Sequence, residues 1–320
     1  MPKLSVIIPV YGVERYIERC ARSLFEQTLD DIEYLFIDDC TPDRSIEVLK
    51  GVLEDYPQRQ PQVVIHQMEK NSGQAAVRKW GMLNAKGDYV IHCDSDDWVD
   101  TDMYRQMYEK AISDNADVVL CGFVRSDGNR VFYEQDKAFI ESKGDKKQLI
   151  SSLLMGCDLS SLCNKFVKSN LFHKEDFLYA TNNMWEDFVY SLQFFINAEK
   201  ISVVENYLYY YYHNIDSISG QVDPEKICKR FEQIKNNVET LERIATNYGL
   251  DEEYSQGFVA IKYKAKSEFL PIVGSFKYWK KWLKAFSDIN LKVLFVKTIN
   301  RRAKIKYVAT LLGLYPLFAR

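Results

Sequence analysis

The sequence predicts an α/β fold, a mostly parallel sheet wound by helices, with a helical C-terminal extension. Short apolar runs and helix-period segments alternate four times between Leu4 and Asn115, which is the pattern of a parallel sheet covered on both faces. Beyond Pro224 the alternation stops and one long helical period takes over. The chain of 320 residues is 47% hydrophobic and 14% aromatic, enough to fill a sizeable core and to exclude wholesale disorder.

Taken in order, Leu4–Val10 is an apolar run suited to a strand covered on both sides. Pro9 lacks an N–H and is expected to end the pairing of that strand. Val13, Tyr16, Ile17, Cys20, Ala21, Leu24 and Phe25 then mark one helix face. Glu33–Ile37 is the second strand and runs into Asp38 and Asp39. Asp43 can cap the next helix, whose apolar face is Ile46, Leu49, Leu53 and Tyr56. Gln62–His66 follows as a third strand, and Asn71–Ser72–Gly73 leads into a helix ending near Gly87. Tyr89–Cys93 is the fourth strand. After it, Met103, Tyr104, Met107, Tyr108, Ala111 and Ile112 recur at helical spacing.

The next part is less regular. Ala116–Gly122 and Arg130–Tyr133 read as strands, and Met184–Ala198 as a helix with Glu186 and Asp187 in its first turn. Val203–His213 is an aromatic-rich strand; its tyrosines suit core and cleft wall, since alternate side chains point to opposite faces. From Pro224, the residues Ile227, Phe231, Ile234, Val238, Leu241 and Tyr248 mark the long helix.

Charge is unevenly spread. Residues 257–320 carry 14 Lys and Arg against two acids, Glu268 and Asp288, while the rest carries 28 against 43. A basic C-terminal region points to an anionic surface, either lipid headgroups or nucleic acid. Seven cysteines without a C-x-x-C pair suit reduced thiols in the cytoplasm. The N-terminus runs straight into a strand with no leader pattern. The uncharged run Tyr307–Ala319 is shorter than the roughly 18–20 residues that a membrane helix needs.

The candidate chemistry lies in the loop after the fourth strand. Asp94, Asp96 and Asp97 put three carboxylates within four residues, at the strand end where open α/β sheets bind ligands. Such close like charges repel unless a cation or solvent relieves them. Oxygen-only ligands suit hard ions such as Mg²⁺ or Mn²⁺, shared with substrate phosphates. The same residues also suit an acidic turn that caps the following helix. Tyr11 and Asp39 end two other strands of the sheet, and Arg78 lies in the helix that Gly73 opens. An aromatic, a carboxylate, an arginine and a metal site together describe a nucleoside diphosphate pocket. Tyr11 can cover a base, Asp39 can accept from a base N–H, and the metal can neutralise the diphosphate. No G-x-G-x-x-G follows the first strand, and the four histidines do not cluster, which argues against a dinucleotide site and a zinc site.

The stretches SVIIPVYGVERYIERCARSLFEQT, FIDDCTPDRS, KNSGQAAVRKWGMLNAKGDYV and DSDDW occur in this order within residues 5–98. Residues 4–123 thereby resemble the nucleotide-binding half of the inverting glycosyltransferases of family 2, which have the GT-A fold. Further on, LCNKFVKSNLF is similar to that family's W-N-K-like loop, with Cys163 in place of Trp. MWEDFVYSLQFF resembles the segment supplying its catalytic base, and YYYYHNIDSIS its closing aromatic strand, with His213 where Arg is frequent. The resemblance implies that Pro9, Val10, Tyr11, Glu14, Asp39, Gly73, Arg78, Asp94 and His213 line a nucleotide-sugar site. It implies Asp96 as the direct metal ligand with Asp94 beside it, and Mn²⁺ or Mg²⁺ as cofactor. Asp187 is the implied base, with Glu186 as the fallback.

The domains that follow are 1–224 as the catalytic domain, with a nucleotide-binding half (1–123) and an acceptor-binding half (124–224), then 225–320 as a helical basic region. The implied partners are a UDP- or GDP-sugar donor and a glycan or lipid-linked acceptor, with no nucleic acid. Without the resemblance, Asp187 reads first as a helix-start acid satisfying free N–H groups. Two other functions compete: another metal-dependent nucleotide enzyme, of nucleotidyltransferase or phosphatase type, and a non-catalytic scaffold of a polysaccharide assembly complex. In the tail, Phe276, Trp279, Trp282, Leu283 and Phe286 fall on one side of a helix flanked by lysines. That pattern suits either a peripheral helix on the inner membrane face or a subdomain packed on the catalytic half.

Overall fold

The computed structural model describes residues 1–127, 130–135, 137–212 and 223–314. The first strand, β1 (Leu4–Val10), runs to its expected end, and parallel pairing continues through Pro9 and Val10 against Ile37 and Asp38 of β2 (Ile32–Asp38). The expectation that Pro9 ends the pairing is therefore corrected. Pro9 remains useful as an acceptor, because its carbonyl takes the Ser95 hydroxyl at 2.6 Å. Between these strands lies α1 (Ile17–Phe25), and after them α2 (Ser45–Glu54). The N-cap of α2 is Arg44, without a side-chain cap; Asp43, expected as the cap, lies one residue earlier and its Oδ1 accepts the Ser45 N–H at 3.1 Å.

β3 (Val63–Gln67), α3 (Gln74–Asn84), β4 (Tyr89–His92), β5 (Trp98–Val99) and α4 (Met103–Asp114) complete the N-terminal half. The rest of the sheet comes from β6 (Val118–Ser126), β7 (Val131–Glu134), β8 (Lys165–Lys168) and β9 (Ile201–Tyr212). Strand order is β3-β2-β1-β4-β8-β6-β9-β5, with β7 paired to β6. The β3-β2-β1-β4 portion is parallel, whereas β8 lies antiparallel between β4 and β6. The sheet is thus mixed beyond its N-terminal portion.

Alternation along the strands sorts the core into two layers. Leu4, Val6, Ile8 and Val10 of β1 join a cluster with α1, α2 and α4, while Ile7 faces the other cluster with α3. There α3 lies close against β1, since a Cβ at Gly81 would come within 2.5 Å of Ile7. The second layer also holds α5 (Ala138–Glu141), α6 (Lys146–Leu154) and α7 (Glu186–Asn197). It continues into α8 (Pro224–Asn247), α9 (Ser255–Glu268), α10 (Phe276–Lys284) and α11 (Arg301–Leu311). The chain leaves β1 toward β2 and β3 on one side and returns to β4 on the other. The carboxyl ends of β1 and β4 therefore flank a topological switch point, the usual seat of a ligand crevice.

Candidate active site

Three strand ends are tied together at this crevice. The Asp39 N–H donates to the Val10 carbonyl at 3.1 Å, and the Ser95 hydroxyl donates to the Pro9 carbonyl. Asp39 Oδ1 and Oδ2 accept the backbone N–H groups of Ser72 and Gly73 at 2.7 and 2.8 Å, so a buried carboxylate fixes the start of α3. Gly73 has φ +82°, and a Cβ there would meet the Asn183 side chain at 2.3 Å, so the turn needs glycine twice over. Glu14 accepts from the Arg44 N–H at 3.1 Å. Tyr11, just after β1, is 51% exposed.

Arg78 occupies the centre. It is buried, and its Nη2 donates to Asp94 Oδ1 at 2.8 Å while its Nη1 donates to Glu186 Oε1 at 2.7 Å. One guanidinium thus spans the acidic loop and the start of α7. Both anions raise the Arg78 pKa above its ordinary value, despite its burial. Burial pushes the Glu186 carboxyl above the usual carboxylate range, and the charge of Arg78 opposes that rise. Asp187 is half-buried, and its Oδ1 accepts the Phe188 N–H at 2.9 Å. The turn before these two acids is sharp: Trp185 sits in the left-handed region at φ +66°.

Within the acidic loop the three carboxylates have different surroundings. Asp97 is buried; its Oδ2 accepts the Tyr209 hydroxyl, and its Oδ1 accepts the Tyr212 N–H at 2.7 Å. Burial, reinforced by the charges of Asp96 and Asp94, lifts the Asp97 pKa well above the carboxylate range. Asp97 therefore braces the loop against β9. Asp94, Asp97 and Cys163 bring one ligand atom each to within 4.8 Å of one another. Burial and the Asp94 charge also push the Cys163 thiol up, and it donates to Asp94 Oδ2 at 3.5 Å. A thiol is a soft donor, poorly matched to a hard ion, and Asp97 is turned toward β9. The donors with suitable chemistry are the part-exposed carboxylates of Asp94 and Asp96.

Several supporting residues were not visible as such in the sequence. Arg19 lies between the rings of Trp98 and Tyr212, 3.9 and 4.6 Å from their centroids, and donates to the Asp96 carbonyl at 2.9 Å. Its place opposite the apolar face of α1 was the one available signal. Lys165, in the N-K core of the second motif, is buried, donates to the Ser161 carbonyl and lies 3.4 Å from Asn164 Oδ1. Burial lowers its pKa to about 7, against the raising effect of Asp187. Asn237 of α8 donates to the carbonyls of Asn182 and Met184 at 3.0 and 2.7 Å, holding the turn that precedes Glu186. His213, together with the rest of its motif to residue 219, lies outside the described residues.

Comparisons with known proteins bear on the family and the fold. A family model described as "Glycosyl transferase family 2" matches residues 5–175. The chain is 32% identical over 229 residues to a protein described as "Uncharacterized glycosyltransferase EpsJ" of Bacillus subtilis, a match spanning 68% of this chain and 63% of that relative. It thus accounts for less than two thirds of EpsJ. In structure, the chain is similar to S. aureus TarS 1–349 crystallised with UDP-GlcNAc, with a TM-score of 0.71 at 19% identity, covering 98% of this chain and 88% of that one. The mannosyltransferase PcManGT of Pyrobaculum calidifontis, in complex with GDP-Man and Mn²⁺, is similar with a TM-score of 0.58 at 10% identity, covering 100% and 88%. At these identities the two likenesses establish the GT-A fold.

Proposed function

This chain belongs to glycosyl transferase family 2, and from that premise we propose that it moves a sugar from a UDP- or GDP-sugar to an acceptor hydroxyl with inversion. The acceptor is a glycan or a lipid-linked acceptor, in the biosynthesis of a surface polysaccharide or glycan. The observation that carries the reading is the Arg78 bridge, which holds the acidic loop and the Glu186–Asp187 turn within the span of one guanidinium.

In this reading residues 1–224 form the catalytic domain. Pro9, Val10, Tyr11, Glu14, Asp39 and Gly73 line the nucleotide site, with Tyr11 closing over the base and Asp39 accepting from a base N–H. Arg78 donates one N–H of each Nη to Glu186 and Asp94, so it holds these two carboxylates in place as it lines the nucleotide site with its remaining donors. Asp187 takes the acceptor proton as the hydroxyl oxygen bonds to the anomeric carbon. The bond from that carbon to the β-phosphate oxygen breaks, and its electron pair leaves with the nucleoside diphosphate. Asp96 and Asp94 would hold the divalent ion, Mn²⁺ or Mg²⁺, which when bound supplies Lewis-acid charge for the diphosphate. His213 completes the diphosphate wall. Glu186, paired with Arg78, is the fallback base.

Among the described residues, no helix is long and apolar enough to cross a membrane. The location we propose is the cytoplasm, with the basic C-terminal region against the inner face of the membrane.

The test is calorimetry of UDP and GDP binding with Mn²⁺ and then with a chelator, followed by product analysis with a panel of nucleotide sugars. Expected are affinity that falls on chelation and release of nucleoside diphosphate with a glycosylated acceptor. Release of nucleoside monophosphate or pyrophosphate points instead to a nucleotidyltransferase or phosphatase type of reaction. Binding without turnover of any donor points to the scaffold.

A further inference from the structure

The expected lipid-facing side of α10 is largely occupied. Trp282 is fully buried, Phe286 is 7% exposed, and the Trp279 indole N–H donates to the Thr310 carbonyl at 2.7 Å. Phe276, at the start of α10, stays 66% exposed, and further apolar surface lies in the segment that follows. Val293, Val296 and Ile299 are buried at intervals of three and peg this segment to the core, so the residues between them are held outward. Leu291 and Phe295 are 73% and 75% exposed, and Leu294 is 38% exposed.

The charges within this segment have one sign. Lys292, Lys297, Arg301 and Arg302 are all exposed, and no acid follows Asp288 in the sequence. Asp288 is itself engaged, since Lys262 Nζ donates to its Oδ2 at 2.8 Å. At the start of α11, Asn300, Arg301, Arg302, Ala303 and Lys306 line an open cleft of about 510 Å³. Neighbouring exposed apolar side chains rimmed by polar and charged ones mark a surface that meets a partner or a membrane.

We propose that residues 291–302 form a docking surface for an anionic lipid bilayer. Leu291, Leu294 and Phe295 enter the headgroup–acyl boundary, and Lys292, Lys297, Arg301 and Arg302 meet lipid phosphates. The charge pattern selects this occupant. A segment with cations and no acids is poorly complementary to a second copy of itself, and a purely polyanionic partner leaves Leu291 and Phe295 unused. This deepens the location given above and rests on that reading for its setting. Docking would bring the enzyme beside an acceptor carried on a lipid.

The experiment is flotation of the full chain with vesicles of phosphatidylcholine alone or mixed with phosphatidylglycerol, at low and high salt. The wild type is expected to float with the anionic vesicles only, and to be released by salt. Arg301→Glu/Arg302→Glu should weaken binding roughly tenfold or more, from about 1 kcal/mol per cation near an anionic surface. Leu291→Ser/Phe295→Ser should lose the part of binding that resists salt. Lys50→Glu, on exposed α2, serves as the charge control and should float like the wild type. Wild type that stays soluble with both vesicles overturns the proposal, as do arginine variants that bind unchanged. Doubling of the wild-type mass in light scattering without lipid, abolished by the Leu291/Phe295 substitutions, overturns it in favour of a second copy. Flotation requires no turnover, so the transferase reading can fail while docking holds, or the reverse.

Discussion

Arg78 and Glu186 are joined by a buried ion pair of 2.7 Å although they lie 108 residues apart in the chain. Because Arg78 also holds Asp94 at 2.8 Å, the pair fixes the distance between the acidic loop and the first turn of α7. Removing one partner strands the others in a poorly solvated place, and such losses cost about 3–5 kcal/mol. Arg78→Met is therefore expected to lower the urea midpoint strongly. Lysine at this position has one point charge and no fork, so Arg78→Lys should recover only part of the loss. A variant as stable as the wild type would mean that the bridge adds nothing to the fold.

The same pair separates the two acids of α7. Glu186 is committed to Arg78, whereas one Asp187 oxygen accepts only a neighbouring backbone N–H at 2.9 Å. Asp187→Asn should leave donor affinity nearly unchanged and reduce kcat by about 10²–10⁴, the usual cost of losing a general base. Glu186→Gln should instead lower stability and affect kcat less. Single-turnover rates with donor affinities measured in parallel decide the matter, and the opposite pattern would exchange the two roles.

How much of this could be read from the chain follows from what is local. β1, β2 and β4 were legible because a buried parallel strand is a continuous apolar run, and the acidic residues at their ends stand out as breaks in that run. β8, four residues with a lysine at each end, and the two-residue β5 carry no such signal. Their strand character comes from pairing with β4, β6 and β9. The amphipathic period of α10 was equally plain, but periodicity does not name what the apolar side meets. Trp282 meets the core, and its indole N–H donates to the Lys266 carbonyl at 3.0 Å. The Arg78 bridge was invisible for the same reason, since nothing near Arg78 in sequence announces Glu186.

Lys165 gives stability a pH dependence of known sign. Burial lowers its pKa from 10.5 to about 7, so between these values the unfolded chain binds more protons than the folded one. Stability from this group therefore rises with pH across that window and is lost as pH falls through about 7. Lys165→Met lacks the effect, while leaving the Ser161 carbonyl without its donor at every pH. Unfolding by urea at pH 7, 8 and 9 should show the advantage of wild type over variant growing with pH. Parallel curves would mean that Lys165 stays charged in the folded protein.

The last prediction concerns a residue outside the catalytic half as read from sequence. Asn237 of α8 is 1% exposed, and its amide donates to the carbonyls of Asn182 and Met184. One turn earlier, Gln233 Oε1 accepts the Asn183 N–H at 3.2 Å, and Asn183 Oδ1 in turn accepts the Ala75 N–H of α3 at 3.0 Å. The 182–185 turn is thus gripped from α8 on one side and α3 on the other, immediately before Glu186 and Asp187. Trp185 at φ +66° is a conformation that a non-glycine residue keeps only when its surroundings impose it. Asn237→Leu has nearly the same shape but leaves two carbonyls unpaired, at about 1–3 kcal/mol each. The turn should loosen, and with it the placement of Asp187. Expected are faster amide exchange in residues 180–188, little change in exchange over β1 and β2, and kcat lowered roughly tenfold or more from a misplaced base, with donor affinity retained. Gln233→Ala, which removes the outer contact alone, should do the same to a smaller degree. If exchange of the 180–188 segment and kcat both match the wild type, α8 merely packs against the turn and the position of Asp187 is set by α3 and Arg78.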